Sequence, residues 1–332
     1  MFSSPLRRVA GVVVVVVLVT VTWFVLQVNP IGGHGREAIF TVRPGDSISA
    51  IAGEMHAQGI INSPLAFRID AVIFGAPTVQ PGTYGIAQNS SFAEVKSILS
   101  GPPNVVAVGS LMTLHQVAVL GVAPAEGSTF ADAFVTDATQ LAARDAFHPG
   151  ASLEGLIGPG DYVLVPGETP TQLLSQMTKS FDDLAASVGL SPSTTLNGLS
   201  AYQLIIAASI TQEEGYYAFN MPKVARVIFN RLARNGPLQM DGTDCYPQGA
   251  LGCTVTPAML KVPGSYNTYL SNGLTPTPIC TVSSASLKAV LHAPTGPWLY
   301  FVLVRRDGQM KFSSTWAGQI AAEKLAQTRG VG

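Results

Sequence analysis

The chain has 332 residues, a formal net charge of −1, 47% hydrophobic residues and only 12% charged ones. That length accommodates a membrane anchor and two or three small domains. The balanced charge supplies no strong field for nucleic acid.

Part of the apolar excess is one segment. Val9 to Val28 carries no charge over twenty residues, including six consecutive valines from Val12 to Val17. A helix of that length crosses a bilayer. Arg7 and Arg8 precede it and the next charge is Arg36, so the N-terminus is expected in the cytoplasm and the remainder outside. A cleaved signal peptide is the alternative; the run is long for a signal core and no convincing small-x-small cleavage site follows it. Residues 29–37 form a Gly-rich linker.

Ordered sequence begins with a short strand at Ile39-Phe40-Thr41-Val42 and a turn at Pro44-Gly45-Asp46. The spacing of Ile48, Ile51, Ala52 and Met55 predicts a helix over 47–58, and a second is expected over 63–74. Pro81-Gly82-Thr83-Tyr84 turns into a strand, and Ser91 with Glu94 makes a capping box for a helix ending near Leu99. Residues 104–198 repeat the pattern less clearly: a strand near Val105, helical segments, a Gly160-Asp161-Tyr162 strand, and a helix opened by Thr169-Pro170. From residue 199 onward, Ser200 and Gln203 cap a helix that runs to Gly215. A helix follows from Met221 with Val224, Val227, Ile228 and Leu232 as its stripe. Irregular sequence rich in Gly, Pro, Thr and Tyr extends to Thr281. A helix over 284–292, a hairpin of 299–304 with 310–313, and a last helix over 315–328 complete an α+β chain.

Cys245 and Cys253 bracket a short loop in the part expected outside the membrane, where disulfides persist, so they are the expected pair with Cys280 free. The other pairings stay open. No Cys/His spacing matches a zinc site, and neither a metal nor a cofactor is expected.

The candidate for chemistry is Glu214. The run Leu204-Ile205-Ile206-Ala207-Ala208 before it is wholly apolar and belongs in a core. A carboxyl at the end of a buried helix loses water and its pKa rises. Such an acid, partly protonated near neutrality, can donate to a leaving oxygen as glycosidic cleavage demands. Two later stretches, 238–243 and 265–279, bring amides, hydroxyls and aromatic faces of the kind that bind sugars.

Seven short motifs fall in one order after Ser200. They are Ala208-Ser209-Ile210-x-x-x-Glu214, Val227-Ile228-Phe229-Asn230-Arg231-Leu232, Leu238-Gln239-x-Asp241-x-Thr243, Tyr266-Asn267-Thr268-Tyr269, Gly273-Leu274-x-Pro276-x-Pro278-Ile279, Leu299-Tyr300-Phe301-Val302 and Phe312-Ser313-x-Thr315. In this region the chain resembles the endolytic lytic transglycosylases of the bacterial envelope, the YceG-like family. Upstream, Val42-x-x-Gly45-Asp46-Ser47 with Pro81-Gly82-x-Tyr84 is similar to that family's LysM-like portion, and Leu153-Glu154-Gly155-Leu156 to another of its segments. Gly318-Gln319 stands where the family often has Glu-His, and Cys280-Thr281 where Pro-Gly is common.

Hydropathy and charge give a tail (1–8), a membrane anchor (9–28) and a linker (29–37). Beyond the anchor the resemblance implies a LysM-like module (38–103), a second α+β module (104–198) and a catalytic domain (199–332). The resemblance also implies cleavage of the MurNAc-β-1,4-GlcNAc bond to 1,6-anhydro ends, with Glu214 as acid and then base. Gln239, Asp241, Thr243, Tyr266, Asn267, Thr268, Tyr269, Ser313 and Thr315 are the expected substrate-binding residues. Glu213 is read as a neighbour that raises the Glu214 pKa. The expected partners are peptidoglycan strands, the cell membrane and wall polymerases or elongation and division proteins. Two alternatives are a catalytically silent peptidoglycan-binding scaffold and a hydrolytic muramidase in which Asp241 places a water.

Overall fold

The computed structural model describes residues 5–43, 45–147, 152–164, 167–249 and 253–331. The first residues of the expected cytoplasmic tail and Pro44 of the expected turn lie outside these. The apolar N-terminal run is one continuous helix, α1 (Pro5–Val28). There follow β1 (Glu37–Val42), α2 (Ile48–Ala57), α3 (Pro64–Phe74), β2 (Gly82–Ala87), α4 (Phe92–Ser100) and β3 (Val105–Val108). Next come α5 (Leu114–Gln116), a π-helical stretch, α6 (Ala123–Glu126), α7 (Ser128–Ala142), β4 (Gly160–Val163) and α8 (Pro170–Ser187). The last part holds β5 (Thr195–Leu196), β6 (Leu199–Ser200), α9 (Ala201–Gly215), α10 (Met221–Leu232), α11 (Asp241–Cys245), α12 (Ser284–Leu291), β7 (Tyr300–Leu303), β8 (Met310–Ser313) and α13 (Trp316–Thr328). The chain is thus mixed α+β, with two-stranded sheets β1–β2, β3–β4, β5–β6 and β7–β8.

Chain contacts divide it into two units. The first is 1–106 with 124–126 and 163–166. Here β1 and β2 pair antiparallel, Phe40 opposite Tyr84, and residues of α2, α3 and α4 share one core with them. The helices begin where the sequence supplies caps: Ser47, Ser63 and Ser91 each accept a backbone N–H from the first turn. Phe40, Ile51, Met55, Phe67, Tyr84, Phe92 and Leu99 form the core, with Phe67 and Phe92 edge to face at 5.2 Å. Phe24 and Val28 of α1 pack against that core.

The second unit holds 107–123, 127–162 and 167–332. Its centre is α9, whose stretch from Leu204 to Ile210 is buried without a break, as its apolar composition requires. α10, α11 and α12 pack on it. Two polar groups of α9 are tied to neighbouring chain: Ser209 Oγ accepts the Ile279 N–H at 3.0 Å, and Gln212 Oε1 accepts the Ser283 hydroxyl at 2.6 Å. Asn220 Nδ2 donates to Gly308 O at 2.8 Å, which fixes the turn of the β7–β8 hairpin.

The repeat noted in the sequence has a structural counterpart. In each Gly-x-Tyr strand the tyrosine hydroxyl donates back four residues, Tyr84 to Gln80 O at 2.8 Å and Tyr162 to Gly158 O at 2.5 Å.

Candidate active site

Glu214 lies in the last turn of α9 and is partly buried, bordering a groove of about 450 Å³. Burial pushes its carboxyl up to about 7; the nearby carboxylates Asp241 and Glu213 add to the rise. The Gly242 N–H, donated to Glu214 Oε1 at 3.2 Å, and the Arg231 guanidinium oppose it. The negative end of the helix dipole, at this C-terminal turn, also disfavours the anion. The outcome is an acid half-protonated near neutrality, able both to give and to take a proton.

The partner N–H comes from α11, a five-residue helix inside what the sequence presents as irregular chain. Its glycine is required by packing. A Cβ on Gly242 would sit 2.3 Å from Glu213 Cγ, so only glycine lets this backbone approach the end of α9. Beneath α11 is a closed hydroxyl network: Thr243 Oγ1 donates to Met240 O at 2.7 Å and meets Thr268 Oγ1 at 2.9 Å, and Thr268 Oγ1 accepts the Met240 N–H at 3.0 Å. Both threonines are buried.

The expected binding residues therefore separate by position. Gln239, Asp241 and Tyr269 line the groove together with Glu214, and the Tyr269 hydroxyl donates to Asp241 Oδ1 at 2.5 Å. Thr243 and Thr268 lie under it. Asn267 is buried and holds its own loop, donating to Val262 O at 2.9 Å and accepting from the Tyr269 N–H at 2.9 Å. Tyr266 lines a different cavity and bonds Thr277 Oγ1 at 2.8 Å. Ser313 is buried at the end of β8, and Thr315 caps α13 through the Gly318 N–H at 3.1 Å. Cys245 and Cys253 are joined by a disulfide with Cα atoms 5.6 Å apart, and Cys280 is free and buried.

The groove also contains residues that were not singled out as site residues. Arg231 donates to Leu299 O at 2.7 Å and to Gln239 Oε1 at 3.2 Å, and its guanidinium lies 5.2 Å from the Tyr300 ring centre. Tyr300 and Trp316 pack at 5.6 Å and supply an aromatic wall. Gln319, one of the two departures, lines the groove and bonds Glu323 at 3.0 Å. The signal for Arg231 was its place in the Asn-Arg-Leu motif; for Trp316 it was a large aromatic directly after a helix cap. Among the described residues, no group of three or more His, Cys, Asp or Glu side chains is arranged to hold a metal ion.

A carboxyl raised to about 7, bordering an open groove of amides, hydroxyls and aromatic rings, is a candidate acid/base site. The YceG-like family model matches residues 40–324, and the chain belongs to that family. It is 28% identical over 82% of its length to a Bacillus subtilis protein named endolytic murein transglycosylase, covering 79% of that relative. A Streptococcus pneumoniae protein of the same name is 24% identical over 86% of this chain, which spans 58% of that relative's length. A solved YceG-like protein from Listeria monocytogenes shares the fold with a TM-score of 0.59 and 21% identity, over 86% of this chain and 98% of its own.

Proposed function

We propose that this chain is a membrane-anchored lytic transglycosylase that cleaves the MurNAc-β-1,4-GlcNAc bond of nascent peptidoglycan. The observation that carries the reading is Glu214: a carboxyl raised to about 7, hydrogen-bonded by a backbone N–H and bordering a groove in a YceG-like chain. In this scheme protonated Glu214 gives its proton to the glycosidic oxygen as the C1–O4 bond breaks, and GlcNAc leaves with a free 4-hydroxyl. The resulting carboxylate takes the proton of the MurNAc C6 hydroxyl, and O6 closes on C1. The product is a 1,6-anhydro ring, no water is consumed, and Glu214 ends protonated as it began. One carboxyl used twice replaces the acid and second carboxylate of ordinary glycosidases. Gln239, Asp241, Tyr269 and Arg231 hold the glycan by hydrogen bonds, and Tyr300 with Trp316 covers an apolar sugar face. Thr243, Thr268, Asn267, Ser313 and Thr315 act by holding the loops and helix ends that carry those groups.

α1 anchors the chain, with Arg7 and Arg8 on the cytoplasmic side and the site outside. Residues 38–103 serve as a LysM-like glycan-binding module, 104–198 as a second module and 199–332 as the catalytic domain. This places cleavage beside strand synthesis, with wall polymerases and elongation or division proteins as partners.

The test is digestion of purified peptidoglycan by the full chain in detergent, beside Glu214→Gln, with mass spectrometry of the fragments. Anhydro ends that vanish with the variant are the expected result. Reducing ends would transfer the reading to hydrolysis through Asp241; binding without products would leave a scaffold.

A further inference from the structure

One helix of the first unit is apolar on both faces. α3 buries Ala66, Phe67, Asp70 and Ala71 against the unit's core. Its other face exposes Leu65 (55%), Ile69 (36%), Val72 (86%) and Ile73 (63%). These lie at i, i+4, i+7 and i+8, the spacing of a single stripe along a 3.6-residue helix. A soluble protein rarely leaves such a stripe in water. No carboxylate interrupts it, because the acid of α3, Asp70, points inward and pairs with Lys96.

The position of α3 says what covers the stripe. α3 contacts α1, and Phe24 and Val28 near the outer end of α1 pack against the same core. Those two residues are one helical turn apart, about 6 Å along the axis. The unit therefore grips the last turn of the helix read as membrane-spanning, at the depth of roughly 5–10 Å to which interfacial helices sink their apolar faces. Trp23 is exposed at this same end of α1, the level where tryptophan prefers the headgroup boundary. Arg68, exposed on the flank of the stripe, has an aliphatic stem long enough to reach lipid phosphates.

We infer that α3 lies on the outer surface of the bilayer that α1 crosses, with Leu65, Ile69, Val72 and Ile73 seated among the lipid chains. The first unit is then held to the membrane at two places, which fixes its tilt as well as its tether. This rests on the reading of α1 as an anchor, and the experiment separates the two.

The full chain is reconstituted in vesicles of phosphatidylethanolamine and phosphatidylglycerol as Val72→Cys or, separately, Val19→Cys, each labelled with an environment-sensitive fluorophore. Labelling is selective because the native cysteines are disulfide-bonded or buried. Val72 is so exposed that its replacement leaves the fold intact. The expected result is a blue-shifted Val72 label that loses most of its emission to doxyl-labelled lipid and little to aqueous iodide, as the Val19 label in α1 does. Quenching of the Val72 label by iodide alone, with Val19 still quenched by lipid, overturns the inference and leaves the anchor standing. A blue-shifted Val72 label that neither agent quenches also overturns it, in favour of a second copy or another protein on that face. If lipid fails to quench Val19, the anchor itself falls and the inference with it.

Discussion

Glu214 and Glu154, both in the second unit, are pushed up to about 7 by the same cause, burial, yet their surroundings differ. Glu154 is 3% exposed, and its two oxygens accept the Leu114 N–H, each at 3.1 Å. Tyr246 adds a hydroxyl at 3.1 Å. It ties the start of α5 to the chain after α11 and is absent from the residues lining the groove. Glu214 has one backbone donor and an edge open to the groove. Burial sets how tightly each carboxyl holds its proton; access decides whether that proton can reach a substrate. A raised pKa alone would have nominated both.

Substitutions that should affect one carboxyl and spare the other test this contrast. The largest effect is expected for Glu214→Gln, which keeps the shape and removes the proton: turnover of peptidoglycan falls about 10³-fold or more with an unchanged circular dichroism spectrum. Glu154→Ala should do the converse. It strands the Leu114 N–H and the Tyr246 hydroxyl, costs about 2–4 kcal/mol in denaturant unfolding, and leaves the activity of the folded fraction within a few-fold. Loss of activity at unchanged stability would give Glu154 a chemical role and break the contrast.

A third effect follows from linkage. The folded pKa of Glu214 is raised from 4.5 to about 7, so its contribution to stability is fully present below 4.5 and is lost as pH rises through 7. Glu214→Gln, which cannot ionise, should therefore be more stable than the parent at pH 8, by at most about 3 kcal/mol, with the gap closing toward pH 4.5. Equal melting curves at pH 8 would mean that the site is better solvated than its packing implies.

Smaller is Gly242→Ala. The added methyl collides with Glu213 Cγ and moves the N–H away from Glu214, which lowers turnover by about tenfold. Because that hydrogen bond favours the ionised form, losing it shifts the alkaline limb of the pH–rate profile upward. Least of all, Trp316→Ala removes part of the aromatic wall and raises KM several-fold with kcat nearly kept, which steady-state kinetics on soluble glycan strands would read.

What the sequence revealed and what it hid have physical causes. α9 was legible because an unbroken apolar run with a Ser200/Gln203 cap has few alternatives, and the position of Glu214 in its last turn because Gly215 follows as a stop. The β1–β2 frame was legible from its caps and turns. α11 was not: Asp-Gly-Thr-Asp-Cys has the composition of a turn, and the Thr243 and Thr268 hydroxyls that hold the Met240 backbone at its start are tertiary contacts that local pattern does not show. Nor could spacing distinguish Asn267, which supports a loop, from Tyr269, which faces the groove two residues later. That distinction depends on which way a compact loop turns its side chains, and local pattern does not encode it.

In the proposed reaction Glu214 closes a ring with the substrate's own hydroxyl and uses no water. Digestion of peptidoglycan by the full chain in water enriched in heavy oxygen tests it directly. The expected MurNAc ends are anhydro and carry no heavy oxygen. Heavy oxygen at C1 of those ends would contradict it and make the protein a hydrolase.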